Sequence, residues 1–162
     1  MKKRNFILGI IVGSMAGAVI GFGVSMKIAN KLIAKKDIRS DKFVGYFNLL
    51  DQWMAIKEDG KPFASFFERN KYFEIAVYGL GKIGNHLLKE LKGTDIKVLY
   101  AIDSKGEELN SDIEVYTLDD EIPIADVIVV TANFDYDNIK RKLEEKVDIP
   151  IISIDDVIYE IM

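Results

Sequence analysis

The spacing of apolar residues changes character along the chain, and each change predicts a different element. From Phe6 to Met26 the run FILGIIVGSMAGAVIGFGVSM carries no charge in 21 residues. As a helix it is about 31 Å long, matching the roughly 30 Å hydrocarbon core of a bilayer. Residues 27–42 then set Ile28, Leu32 and Ile33 among Lys27, Lys31, Lys35 and Lys36, the pattern of a basic helix leaving a membrane surface. Asp41 is placed to cap the next helix, in which Phe43, Phe47, Leu50 and Met54 recur at i, i+4, i+7 and i+11. Asp59-Gly60 ends that helix, and Pro62 suits the first turn of a short one over PFASFFERN. Trp53, Phe63, Phe66 and Phe67 make this stretch rich in aromatics, which predicts packing onto the following domain or a neighbouring subunit.

From Tyr72 the pattern becomes short apolar runs alternating with amphipathic stretches. FEIAVYG (73–79), IKVLYAID (96–103), IEVYTL (113–118), ADVIVVTAN (125–133) and IPIISI (149–154) read as strands. KIGNHLLKEL (82–91), a stretch from Tyr136 to Lys146, and a last segment DVIYEIM capped by Asp155 read as helices. Strands alternating with helices imply a parallel sheet with right-handed crossovers. The expected fold is therefore α/β: a Rossmann-like parallel five-stranded sheet of order 3-2-1-4-5, preceded by a helical linker and one transmembrane helix. The domains are residues 1–26 (anchor), 27–71 (basic juxtamembrane and aromatic helical linker) and 72–162 (nucleotide-binding body). The second crossover is short and weakly helical.

The chemical signal sits at the first strand–helix turn, Gly79-Leu80-Gly81-Lys82-Ile83-Gly84. A bare GxGxxG is weak, but this one follows an apolar strand and opens a helix, the context that nucleotide binding requires. Gly79 permits the tight turn, Gly81 lets a pyrophosphate approach the backbone, and Gly84 allows close helix–strand packing. Free amides at the helix start favour phosphate charge. Asp103 ends the second strand 19 residues after Gly84, where a carboxylate accepts hydrogen bonds from ribose hydroxyls and repels a 2′-phosphate. NAD is thus expected over NADP. Ser104 and Lys105 are secondary candidates for contacting the adenosine ribose, as are Thr131, Ala132 and Asn133, which end the fourth strand facing the cleft.

Charge divides the chain. Residues 1–42 carry 9 Lys/Arg and 2 Asp, a net of +7, while residues 43–162 carry 13 basic and 24 acidic groups, a net of −11. A basic membrane-facing end and an acidic body follow, and the body suits no nucleic acid. Three basic residues precede the apolar run and six follow it, which favours a cytoplasmic C-terminal domain on a single-pass cell-membrane protein. Gly9, Gly13, Gly17 and Gly21 share one slowly drifting helix face, the small-residue surface on which membrane helices self-associate. The apolar run continues beyond a possible signal-peptide cleavage site at Ala16-Gly17-Ala18, so the segment is read as an anchor that stays.

With no cysteine and only His86, the chain has no thiol catalysis, no Cys- or His-rich metal site and no Ser-His-Asp triad of its own. Tyr136 and Lys140 have the Tyr-x-x-x-Lys spacing of short-chain dehydrogenases. They follow the fourth strand rather than the fifth, and a helix surface explains them better. No residue is expected to be catalytic and none to bind metal.

The stretches VYGLGKIG, YAIDSK, ADVIVVTA and IPIISIDDVI resemble the small Rossmann-type modules of bacterial surface-polysaccharide and sugar-nucleotide pathways. CapD-like sugar-nucleotide enzymes and polyprenyl glycosylphosphotransferases combine such a module with an N-terminal membrane segment. A weaker resemblance is to the regulatory nucleotide-binding domains of potassium channels. The first resemblance implies a membrane-anchored accessory or regulatory module holding NAD or a nucleotide sugar, with an envelope-polysaccharide enzyme as partner. The alternative is an NAD-dependent oxidoreductase or epimerase on a nucleotide sugar, its pocket completed by oligomerisation.

Overall fold

A computed structural model describes residues 42–106 and 112–162. The chain divides into two compact units, Met1–Gly45 and Tyr46–Met162, and the second holds the sheet. The elements are α1 (42–58), α2 (Ala64–Asn70), β1 (Glu74–Tyr78), α3 (Lys82–Leu91), β2 (Lys97–Ile102), β3 (Glu114–Tyr116), β4 (Val127–Val130), α4 (Tyr136–Glu144), β5 (Ile151–Ser153) and α5 (Ile154–Ile161). All pairings are parallel and the order is β3-β2-β1-β4-β5, as the alternation of strand and helix predicts. The segments 6–26 and 27–41, with the anchor, the glycine repeat and the Asp41 cap, lie outside the described residues. Among those described, no helix is long and apolar enough to cross a membrane.

The central strands explain the choice of a parallel sheet. All four residues of β4, Val127-Ile128-Val129-Val130, are buried, which a strand covered on both faces demands. Val127 and Val129 join Ile75 and Val77 on one face, under α1, α2, α3 and α5; Ile128 and Val130 join Ala76, Tyr100 and Ile102 on the other, under α4. At the strand starts, the Asp126 carboxylate accepts from the backbone N–H groups of Phe73 and Glu74, both at 2.8 Å, and ties β4 to β1.

Residues 46–71, read from sequence as part of a linker, pack into the body's core. Trp53 stacks on Phe63 with ring centroids 4.4 Å apart, and Phe66 and Phe67 are buried with Ile75 and Val77. The face of α1 that does this is Leu49, Trp53 and Ile56, with Tyr46 half-buried; the stripe of Phe47, Leu50 and Met54 faces outward instead. The helix is apolar on two faces, and periodicity alone does not rank them. The last helix also starts differently from the sequence reading. Ser153, not Asp155, is its N-cap: the hydroxyl accepts from the backbone N–H of Asp155, and Asp156 reaches back to the N–H of Ser153.

Tyr100 is buried on the α4 face and donates its phenol proton to the Pro123 carbonyl at 2.5 Å. Burial pushes its pKa up to about 12, with the neighbouring Tyr116 adding to the rise. Unfolded tyrosine ionises near pH 10, so above that pH the folded state keeps a proton the unfolded chain has lost. Stability is therefore full below about pH 10 and falls as pH rises toward 12. Tyr100→Phe should cost about 1 kcal/mol at pH 8 and flatten part of the alkaline decline, checked by denaturant unfolding at pH 8, 10 and 11. An unchanged decline would assign that proton to another group.

Candidate nucleotide site

The turn between β1 and α3 is built from backbone constraints. Gly79 takes a φ of +95°, which favours glycine, and its N–H donates to the Ile102 carbonyl of β2 at 2.8 Å. At Gly84, a Cβ would meet the Gly79 carbonyl oxygen at 2.0 Å, so only glycine lets α3 sit this close to the turn. Gly81 is different: its φ is −69° and, its chain neighbours aside, no atom lies within 4 Å of where its Cβ would be. That open space at the N-cap of α3 is where an anion can reach the helix's first amides.

Side chains from three directions hold the turn. Thr131, only 4% exposed at the end of β4, shares its hydroxyl proton between the carbonyls of Gly79 (2.7 Å) and Tyr78 (3.1 Å). It is thus a brace for the glycine turn, where the sequence reading had it facing the cleft. Asp103, half-buried at the end of β2, accepts from the Leu80 N–H at 2.9 Å through one oxygen and from the Lys105 N–H at 3.0 Å through the other. Each oxygen retains a further lone pair, so ribose hydroxyls can still be accepted. Asn85, which the glycine spacing does not single out, donates its amide to the carbonyls of Leu80 (2.8 Å) and Gly81 (2.9 Å). An amide one residue beyond the last motif glycine is its only signal in sequence.

The remaining candidates divide. Leu80 and Ile83 are buried, Ile83 in the core beneath α3, so their part in a site is through the backbone. Lys82 and Ser104 are exposed. Ala132 is half-buried, and Asn133 donates to Asp155 at 3.3 Å. Two cavities are lined by residues at and beyond the ends of the neighbouring strands, and neither is lined by residues of the turn itself. One, of about 550 Å³, is lined by Lys105, Gly106, Tyr116, Thr117 and Asp120. The other, of about 450 Å³ beyond β4 and β5, is lined by Asn133 and Tyr136 and by four carboxylates, Asp135, Asp137, Asp155 and Asp156. Tyr78, at the end of β1, has its pKa raised by burial and then by the charges of Asp103 and Asp135.

Tyr136 donates its phenol to the Ile151 carbonyl at 2.9 Å, and its pKa is raised by burial despite Lys140, whose ammonium lies 5.8 Å from the ring centroid. A proton-transfer tyrosine needs the opposite shift. His86 is exposed on α3, edge-on to Trp53 at 6.3 Å.

A parallel sheet with a tight glycine turn, an open helix N-cap and a strand-end acid defines a Rossmann-type nucleotide-binding module. The family model of the D-isomer specific 2-hydroxyacid dehydrogenase, NAD binding domain, matches residues 48–142. The match covers more than half of the chain, which therefore belongs to that family. It starts within α1, in agreement with the packing of α1 into the body. No curated protein and no solved structure matches the chain.

Two glycines three residues apart should respond oppositely. Gly84→Ala should destabilise by about 3 kcal/mol, because backbone rather than a flexible side chain must move. Gly81→Ala should change stability by under about 1 kcal/mol yet weaken dinucleotide binding about tenfold or more. Thermal unfolding and calorimetric titration separate the two effects; equal responses would contradict the assigned roles.

Proposed function

We propose that the chain is a membrane-anchored NAD-binding module that assists or regulates a partner enzyme rather than transforming a substrate itself. The observation that carries this is the glycine turn: braced by Thr131, Asp103 and Asn85, yet open at Gly81. The donor set fits a dinucleotide. The Gly81–Ile83 backbone would hold the pyrophosphate and Asp103 the adenosine ribose, and the bound nicotinamide would supply a hydride-accepting ring. Family membership supports NAD over a nucleotide sugar. The uncharged run 6–26 and its basic flanks support anchoring with the domain on the cytoplasmic side, and the resemblance to surface-polysaccharide modules supports an envelope-polysaccharide enzyme as partner.

Charge argues against turnover of a 2-hydroxy acid. Among the described residues, the cavity beyond β4 and β5 is lined by four carboxylates and by no Lys, Arg or His, so it repels the carboxylate of such a substrate. A second reading, an NAD-dependent oxidoreductase whose pocket a second copy completes, draws support from the family match. The full chain in detergent or bilayers, titrated with NAD, NADP and UDP-sugars, should bind NAD best. It should leave nicotinamide absorbance unchanged with 2-hydroxy acids or UDP-sugars. Asp103→Asn keeps an acceptor for the Leu80 N–H but loses the charge, and should weaken NAD by about 1–3 kcal/mol. Absence of NAD binding at millimolar concentration defeats the proposal, and steady turnover favours the oxidoreductase.

A further inference from the structure

Leu80 is held at both of its peptide groups. Its N–H donates to Asp103 at 2.9 Å, and its carbonyl accepts from the side-chain amide of Asn85 at 2.8 Å. The same amide also donates to the Gly81 carbonyl at 2.9 Å. Those two carbonyls depend on Asn85 to different degrees. The Gly81 carbonyl already accepts the backbone N–H of Asn85 at 3.0 Å, as the first bond of the helix. The Leu80 carbonyl lies one residue before the N-cap, outside the helical ladder. The Asn85 side chain is what ties it to α3.

A phosphate can come close to Gly81 because that residue lacks a side chain, and the same lack leaves its backbone free to turn. A half-turn of the Leu80–Gly81 peptide would carry the Gly81 φ from −69° to roughly +110°, a region open to glycine and disfavoured for other residues. In a trans peptide the C=O and N–H groups point in opposite directions. The half-turn would therefore put the Leu80 carbonyl oxygen where the Gly81 N–H had been, an acceptor in place of the donor that an anion needs. We propose that Asn85 is a positioning residue of the nucleotide site, barring this flip by holding the Leu80 carbonyl on the side of α3. Asparagine suits the task, because its NH2 offers two donors without a charge and sits one helical turn from Gly81. Alanine would form a better helix at this exposed position, so the local preference of α3 does not explain the residue. The inference rests on the turn being the nucleotide site and deepens that reading.

Asn85→Ala removes both side-chain donors but improves helix propensity, so Tm should move by under about 3 °C. NMR of the full chain in bilayer nanodiscs, without nucleotide, reads the flip directly at the Leu80 carbonyl and the residue-81 amide. The unmodified chain should show one state there, and Asn85→Ala a second or exchange-broadened one. Adding Gly81→Ala to Asn85→Ala should restore a single state, because a Cβ opposes positive φ. Calorimetric titration with NAD should agree in size: apparent Kd rises as the reciprocal of the unflipped fraction, so about fivefold weaker binding requires about four-fifths of the turns flipped. A single unshifted state at Gly81 in Asn85→Ala overturns the proposal, as does a flip that leaves NAD affinity unchanged. A flip in Asn85→Ala together with no NAD binding by the unmodified chain overturns the nucleotide reading, and the positioning role falls with it.

Discussion

Gly84 packs its bare Cα against the carbonyl of Gly79, so closely that a methyl group there would stand 2.0 Å from the oxygen. Much of the structure around the candidate site depends on that approach. It seats the N-terminus of α3 on the end of β1, and Gly79, at φ +95°, turns the chain to make it possible. Thr131 from β4 then binds the same Gly79 carbonyl, and Asp103 from β2 takes the next N–H, at Leu80. Three adjacent strands and one helix thus converge on four residues of backbone.

This convergence makes the turn a pre-formed site. The hydrogen bonds that hold it come from within the chain, and the space above Gly81 remains clear. A phosphate binding there need not reorganise the backbone first, which is where preorganisation contributes to affinity. Electrostatics differs across the site: Asp103 stands beside the turn, and the cavity beyond β4 and β5 is lined by four carboxylates, Asp135, Asp137, Asp155 and Asp156.

The strand order was legible from sequence because the central strands leave continuous apolar runs, VIVV being buried throughout, while the edge strand EVY is only partly buried and is placed by alternation with its neighbours. The helix 82–91 was legible to the residue, since a glycine turn opens it. Features resting on side-chain direction were not. Thr131 ends a strand as a ligand-facing residue would, and only its hydroxyl's hydrogen bond to the Gly79 carbonyl shows that it braces the turn. On α1, Phe47, Leu50 and Met54 make as regular a stripe as Leu49, Trp53 and Ile56, and tertiary packing on Phe63 decides between them. Ser153 and Asp155 are both good capping residues, and the two-sided bond with Asp156 settles the cap on Ser153.

On the proposed function, a dinucleotide's phosphates sit in the braced turn. An amide-resolved NMR titration of the full chain in bilayer nanodiscs tests it most directly. Addition of NAD should produce saturable shifts centred on the amides of Gly81, Lys82 and Ile83, with a second group at Asp103 and Lys105. Shifts confined to other parts of the sheet, or none at millimolar NAD, would contradict it.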